Sequence, residues 1–226
     1  HNTDVVIIGS GLSGLAAAKK FINTKYKVLL IEQDSYLGGI LKNSNKVKTI
    51  NGLTPHEWTR ETEELILNSK NITILKNTLV TTYNFTNHLI ALEDKFAGKK
   101  IDLNKSELTL HKIRTSNTII ANGHIERFIS FRNNDLPGVM LASSFEKYIH
   151  RYGVVPEKEP VIFTNNSSSL SLLKKLISLG CKPKAYVDSR KKDNIETEIK
   201  KILKDKDILF FSDAEIEGCD GNKKVE

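Results

Sequence analysis

Cysteine is scarce in this sequence. The 226 residues include only Cys181 and Cys219, which lie too far apart for a C-x-x-C redox pair or a zinc knuckle. This spacing argues against a disulfide reductase. We recognise no secretory leader, so we expect reduced thiols in a protein of cytoplasmic location.

Long hydrophobic runs and clusters of one charge are also missing. No apolar run approaches the roughly 20 residues that a membrane helix needs, so we expect no membrane partner. The net charge is +7, but basic residues alternate with acidic ones and no aromatic residues are interleaved with them, which argues against a nucleic-acid partner. The sequence starts at His1 rather than Met, and we interpret it as part of a longer chain.

Patterns for catalysis and metal binding are absent as well. None of the histidines after His1 has metal-ligand spacing to another, and none is paired with a nucleophile. They are His56, His88, His111, His124 and His150. We therefore predict no catalytic residue and no metal site in this sequence.

A glycine-rich loop near the start is the strongest positive signal. It reads Gly9-Ser10-Gly11-Leu12-Ser13-Gly14, follows an apolar strand predicted over 4–8, and opens a helix predicted over 12–23. Gly9 allows a tight turn, Gly11 lets a pyrophosphate approach the backbone, and Gly14 lets the helix pack on the strand. The N–H groups that open the helix favour phosphate. This arrangement predicts an α/β Rossmann fold.

An acidic residue follows at the expected distance. Glu32 comes directly after the next predicted strand, 27–31, where it can accept hydrogen bonds from an adenosine ribose and would repel a 2′-phosphate. It favours NAD or FAD over NADP, and the pattern alone leaves those two open. A solvated acid at a strand end is the structural alternative.

Further glycines follow two of the predicted strands. Gly38 and Gly39 come soon after Glu32, and Ala121 and Gly123 end a strand predicted over 117–121. Small residues there would let the chain lie against a cofactor, although plain turns have the same composition. Between them we predict a helix over 54–68, a strand over 72–75, and a β-meander over 79–83, 89–93 and 107–113 with its turn at Gly98-Lys99-Lys100.

The second half predicts another β-α-β-α-β run. Strands are expected over 161–163, 185–187, 208–211 and from Ile216, and helices over 167–179 and 195–203. The connecting region before this run holds a further helix, expected near 143–152. The loop Thr164–Ser169 stands where a second glycine loop would be but has no glycine, so we expect a helix cap with a degenerate or empty site. Asp188 ends the next strand as Glu32 does in the first half, and we interpret it as structural.

Several longer blocks resemble the alpha subunit of heterotetrameric sarcosine oxidase. The blocks are Ile120–Arg127, Asn134–Ala142, Tyr148, Arg151–Val154 and Phe163–Asn166, and the resemblance covers essentially the whole sequence. The resemblance implies a glutathione-reductase-like FAD/NAD(P)-binding Rossmann fold that holds NAD, with a second, inserted Rossmann-like domain. It also implies that sarcosine is oxidised on FAD in a beta subunit, so that this part alone would be inactive. Asn122 departs from the family, which usually has Thr there.

Carried onto this sequence, the family pattern gives a set of cofactor-binding residues and a domain division. The residues are Gly9, Ser10, Gly11, Leu12, Gly14, Glu32, Gln33, Gly38, Gly39, Val80, Ala121 and Gly123, with Val80 contacting the adenine through its backbone. We expect a dinucleotide-binding domain over 1–127 that lacks its return strand, a connecting segment over 128–157, and a truncated inserted domain over 158–226. Partners would be the beta and other subunits of the oxidase.

Two other functions remain open at this point. The first is an FAD-binding subunit of a related opine, proline or cyanide-forming dehydrogenase, which shares this region. The second is a non-catalytic assembly module with a vestigial cofactor site. The presence of both the glycine loop and Glu32 argues against the second, because a vestigial site need not keep both.

Overall fold

The computed structural model describes residues 1–42, 49–84, 86–95, 108–222 and 225. These residues divide into two compact units, which we call unit 1, up to His124, and unit 2, from Ile125. The turn predicted at Gly98–Lys100 lies outside the described residues. The three-part domain division drawn from the sequence stays a prediction.

Unit 1 is built on a mixed six-stranded sheet. In the order β3-β2-β1-β6-β5-β4, the first four strands are parallel and the last two run antiparallel to their neighbours. The elements are β1 (Asn2–Ile8), α1 (Leu12–Lys20), β2 (Val28–Ile31), α2 (Pro55–Leu67), β3 (Ile72–Leu75), β4 (Thr78–Tyr83), β5 (His88–Asp94) and β6 (Leu108–Ile120).

The parallel strands bury both of their faces, as such strands do in α/β proteins. One face packs against α1 and α2 through Val5, Ile7, Val28, Leu30, Leu15, Ala18, Trp58 and Ile66. The other face packs against the antiparallel strands through Val6, Leu29, Ile31, Leu89, Ala91 and Ile113. The alternation of side chains along β1 and β2 therefore supplies both layers.

Helix α2 begins where the sequence predicts. The Thr54 hydroxyl accepts a hydrogen bond from the Glu57 N–H at 3.3 Å, and the Glu57 carboxylate accepts one from the Thr54 N–H at 2.9 Å. Pro55 occupies the first turn, where its missing N–H costs no helical hydrogen bond. The two contacts form a capping box at the start of the helix.

The main differences from the sequence-based prediction concern two helix ends and two strands. Helix α1 ends at Lys20 rather than Asn23. The last meander strand and the strand predicted over 117–121 are one strand, β6, which pairs with β5 and then with β1. No strand begins at Ile216, where the described chain forms a single bridge between Gly218 and Arg132. The last helix begins at Thr197 instead of Ile195, after a 3-10 turn.

Unit 2 has three parallel strands in the order β7-β8-β9. Its elements are α3 (Ala142–Tyr152), β7 (Val161–Thr164), α4 (Ser169–Ser178), β8 (Ala185–Asp188), α5 (Thr197–Asp205) and β9 (Leu209–Ser212). Helices and strands share one core, formed by Phe145, Ile149, Ile162, Leu172, Leu173, Leu176, Tyr186, Ile199 and Leu203 among others. Helix α3 is thus part of this core.

Candidate dinucleotide-binding site

The glycine loop turns sharply out of β1. Gly9 has a φ of +94°, a conformation that side chains disfavour, and its N–H donates to the Ile31 carbonyl at 2.8 Å. A Cβ on Gly9 would lie 2.4 Å from the carbonyl oxygen of Ala121, at the end of the neighbouring strand β6. The turn therefore brings the ends of β1, β2 and β6 together, and only glycine fits there.

Gly14 lets helix α1 rest on the loop. A Cβ at this position would lie 1.9 Å from the Gly9 carbonyl oxygen, far inside van der Waals contact. The close approach of helix to strand expected from the sequence is therefore present. Leu12, the first residue of α1, is partly buried and packs against the core between the sheet and helices α1 and α2.

Gly11 has the opposite surroundings. A Cβ built on it meets no atom of another described residue within 4 Å, beyond its chain neighbours, although the residue is the N-cap of α1 with ordinary φ. The space in front of this backbone is free for a ligand group. It lies at a helix N-terminus, whose N–H groups and positive dipole end favour phosphate. These residues fit the pyrophosphate of a dinucleotide.

Glu32 is buried at the edge of this loop, only 6% exposed. Its Oε2 accepts hydrogen bonds from the Ser10 N–H at 2.8 Å and from the Ser10 hydroxyl at 2.5 Å. Its Oε1 accepts one from the Asp34 N–H at 2.9 Å. Three donated hydrogen bonds thus fix the carboxylate beside the glycine loop, and its burial excludes the solvated strand-end acid considered from sequence.

The Gly38-Gly39 segment lies against the glycine loop. The Gly38 N–H donates to the Ser10 carbonyl at 2.9 Å, and a Cβ on Gly39 would come within 3.2 Å of the Gly11 Cα. Helix α2 backs the segment, since a Cβ on Gly38 would meet the Thr59 methyl at 2.9 Å. The two segments, distant from each other in the sequence, form one wall.

The remaining predicted residues lie on three different segments of unit 1. Ala121 follows β6, its N–H bonded to the Ile8 carbonyl at 2.8 Å, and the exposed Gly123 comes two residues later. Gln33 is exposed directly after Glu32. Val80 lies in β4 and packs on the sheet face that the meander covers. A contact between its backbone and an adenine ring stays a prediction.

The equivalent edge of unit 2 is occupied by its own side chains. Asp188, fully buried, accepts hydrogen bonds from the Arg190 Nε at 3.0 Å and Nη2 at 2.8 Å. The same guanidinium reaches the Ser167 hydroxyl at 3.2 Å and Glu196 at 3.5 Å, and Ser167 also donates to Glu196. The degenerate site expected from the sequence is thus closed by an ionic network.

Electrostatic shifts are concentrated in unit 2. Hydrogen bonds to Asp188 raise the pKa of Arg190 above its ordinary value. Burial raises the pKa of Tyr186 to about 12, and the hydrogen bond that joins its hydroxyl to Ser169 opposes part of that rise. Both groups therefore keep their protons throughout the physiological range.

Two partnerships escaped the sequence-based reasoning. Ser10 was predicted to contact the cofactor, yet its hydroxyl is buried against Glu32. Arg190 went unremarked as the partner of Asp188, although it follows that residue by two positions. A serine at the second loop position and an arginine just after a strand-end acid are the signals that could have indicated them.

Within the described ranges, no helix is long and apolar enough to cross a bilayer. In the same part of the chain, no three His, Cys, Asp or Glu side chains come together as a metal site would require.

Comparison with known proteins matches the first unit to a nucleotide-binding family. Residues 7–58 fit the family described as NAD(P)-binding Rossmann-like domain. This segment contains the glycine loop, Glu32, the Gly38-Gly39 segment and the start of α2. The fold predicted from the sequence is confirmed.

Curated relatives extend the match into unit 2. The chain is 33% identical over 190 residues to sarcosine oxidase subunit alpha of Rhizobium meliloti (strain 1021), and 29% identical over 185 residues to that of Corynebacterium sp. (strain U-96). The chain is related to sarcosine oxidase alpha subunits. These matches cover 83% and 79% of the chain but only 19% of each relative, so the chain spans about a fifth of their length. The predicted resemblance to the sarcosine oxidase alpha subunit is confirmed.

Solved structures show the same fold at low identity. Thioredoxin reductase of T. acidophilum aligns with a TM-score of 0.66 at 16% identity, covering 99% of this chain and 68% of that one. L-proline dehydrogenase of P. horikoshii aligns with a TM-score of 0.61 at 20% identity, covering 100% and 38%. The chain therefore shares its fold with these two enzymes.

Proposed function

We propose that unit 1 binds one adenine dinucleotide at its glycine loop. The observation that carries the proposal is the free space in front of Gly11, at the N-terminus of α1. The pyrophosphate would lie there against backbone N–H groups, and Glu32 would accept a hydrogen bond from the adenosine ribose. Gly39 and Gly123 would flank the ligand without side chains.

NAD is the proposed ligand, and FAD is the alternative. The buried Glu32 carboxylate would repel the 2′-phosphate of NADP, whereas both NAD and FAD carry an unmodified adenosine ribose. NAD can exchange a hydride at its nicotinamide ring. We assign no reaction step to it, because no catalytic residue is proposed in this chain.

For the whole protein, we propose an oxidoreductase of the sarcosine oxidase type acting on a CH–NH donor. The relatives are named as alpha subunits, which supports a multi-subunit enzyme with a beta subunit as partner. This chain would bind its dinucleotide in a role separate from sarcosine oxidation and would be inactive alone. A cytoplasmic location is part of the same proposal.

Calorimetric titration of the purified chain with NAD, NADP and FAD tests the binding proposal. We expect one site per chain for NAD, or for FAD in the alternative, and affinity for NADP at least tenfold weaker than for NAD. Glu32→Ala should reduce that preference for NAD, because the repelling charge is gone. Circular dichroism confirms folding. A folded chain that binds neither NAD nor FAD would contradict the proposal and favour the vestigial assembly module.

An activity assay tests the division of labour. We expect no sarcosine-dependent hydrogen peroxide from the chain alone, with or without added NAD and FAD. Turnover by this chain without any other subunit would show that the reaction is carried out here and would overturn the assignment. The same assay with proline in place of sarcosine distinguishes the related dehydrogenase class.

A further inference from the structure

Ser10, the second residue of the glycine loop, fixes the position of Glu32, the proposed partner of the ribose. Ser10 is completely buried, and both its N–H and its hydroxyl donate to the same oxygen of Glu32, Oε2. The hydroxyl is therefore turned towards the carboxylate rather than the ligand space. A glycine or alanine at this position would leave only the N–H contact.

The hydrogen bonds leave the two carboxylate oxygens unequal. A carboxylate has about four acceptor positions, two on each oxygen. Both positions on Oε2 are taken by Ser10, and one on Oε1 is taken by the Asp34 N–H. A single acceptor position remains, and it belongs to Oε1.

We propose that Ser10 is a specificity-determining residue that restricts Glu32 to one of the two ribose hydroxyls. A carboxylate with both oxygens available can accept from the neighbouring 2′- and 3′-hydroxyls together, one on each oxygen. With Oε2 saturated by Ser10, Glu32 accepts from one hydroxyl only. This inference rests on the proposed binding of an adenine dinucleotide.

Deoxy analogues of ADP give a direct test, since ADP is common to NAD and FAD. For the wild-type chain we expect one of 2′-deoxy-ADP and 3′-deoxy-ADP to bind about tenfold more weakly than ADP, as loss of a hydrogen bond to a charged group implies. The other analogue should bind within about twofold of ADP, because the hydroxyl that it lacks has no partner on Glu32. Equal weakening by the two analogues, or none by either, would overturn the inference.

Substitution of Ser10 provides the second arm. Ser10→Ala keeps the N–H contact but frees one acceptor position on Oε2, so both deoxy analogues should then bind about tenfold more weakly than ADP binds to that variant. Retention of the wild-type asymmetry in Ser10→Ala would contradict the role of the hydroxyl. Ser116→Ala, an exposed serine of β6, serves as matched control and should keep the asymmetry.

The outcomes separate this inference from the proposed function. If the folded wild-type chain binds none of ADP, NAD and FAD, the proposed function fails and the inference fails with it. If ADP binds but both analogues weaken binding equally, only the role of Ser10 fails. Since the wild-type chain alone decides the first arm, a misfolded Ser10→Ala variant leaves the test intact.

Discussion

Each unit has parallel strands joined by helices, but the loop that follows the first strand differs between the two units. In unit 1 the loop between the first strand and its helix has bare backbone at Gly11, with open space before it. In unit 2 the corresponding loop is closed on itself, because the Thr164 hydroxyl bonds to both the N–H and the carbonyl of Asn166. The Asn166 amide in turn accepts from the Ser168 N–H at 2.9 Å. Backbone groups that would face a phosphate in the first loop are used internally in the second.

The strand-end acids differ in the same way. Glu32 accepts its hydrogen bonds from uncharged N–H and O–H donors, whereas Asp188 is paired with the Arg190 guanidinium through two hydrogen bonds. A bidentate arginine is a strong and geometrically specific partner for a carboxylate. The two edges therefore differ in the partners of their strand-end acids rather than in strand order.

The largest effect should come from opening the network of unit 2. Arg190→Ala leaves the buried Asp188 without its countercharge and should destabilise unit 2 by about 3 kcal/mol. Hydrogen exchange at the β8 amides measures this change locally. Binding of NAD by unit 1 should be unaffected, so a loss of binding would break the comparison. Lys182→Ala, which removes an exposed ion pair at 3.6 Å, is the control and should leave exchange unchanged.

Alanine substitutions at two glycines of the first loop should change the stability of unit 1 by very different amounts. Gly14→Ala forces a Cβ into the Gly9 carbonyl and should destabilise unit 1 by about 3 kcal/mol. Gly11→Ala points into open space and should alter the free energy of unfolding by less than about 0.5 kcal/mol. Urea unfolding followed by fluorescence of Trp58, the single tryptophan, measures both. Equal destabilisation by the two variants would contradict the assigned contacts.

A smaller loss of stability is expected from changing the start of α2, the helix that lies behind the Gly38-Gly39 segment. Thr54→Ala removes the cap of α2 and should cost about 1 kcal/mol. The hydrogen bond from the Thr54 hydroxyl lowers the pKa of Glu57 below its ordinary value. The contact therefore stabilises the folded chain at pH values above that ordinary pKa, and its contribution is lost as the pH falls through the folded-state pKa. Unfolding measured between pH 7 and pH 3 should therefore show a smaller acid loss in Thr54→Ala than in wild type. Identical pH profiles would exclude the contact.

The smallest effect at neutral pH concerns Tyr186. Because its pKa is raised to about 12, its contribution to stability is complete below the ordinary pKa near 10 and is lost as the pH rises through 12. Absorbance titration of tyrosinate should show a late-ionising group that is missing in Tyr186→Phe. If the variant and the wild type titrate alike, the buried hydroxyl of unit 2 is not where the structure places it.

Much of unit 1 was predictable because local signals agree with the tertiary structure. The apolar run before Gly9, the glycine spacing and the Thr54–Glu57 pair each specify a short piece of backbone. The continuous strand β6 was missed for a physical reason. Its polar middle, around Arg114–Asn117, lies where the strand leaves β5 and joins β1, and such a polar stretch resembles a loop.

The interior of the candidate site was less predictable. Sequence spacing placed Ser10 and Glu32 near one another but could not show that the serine hydroxyl points to the acid, since side-chain direction depends on the packed loop. The alternating acids and apolar residues around Ile216 suggest a strand, yet strand formation depends on a partner, and the described chain provides only the bridge at Gly218.

Calorimetric binding of NAD and FAD to Gly11→Ala and Ser168→Ala tests the central claim most directly. The two residues are the N-caps of helices α1 and α4, and both are replaced by alanine. The account predicts one site per wild-type chain, at least tenfold weaker binding by Gly11→Ala, and unchanged binding by Ser168→Ala. Unchanged affinity in a folded Gly11→Ala, or loss of binding in Ser168→Ala, would contradict it.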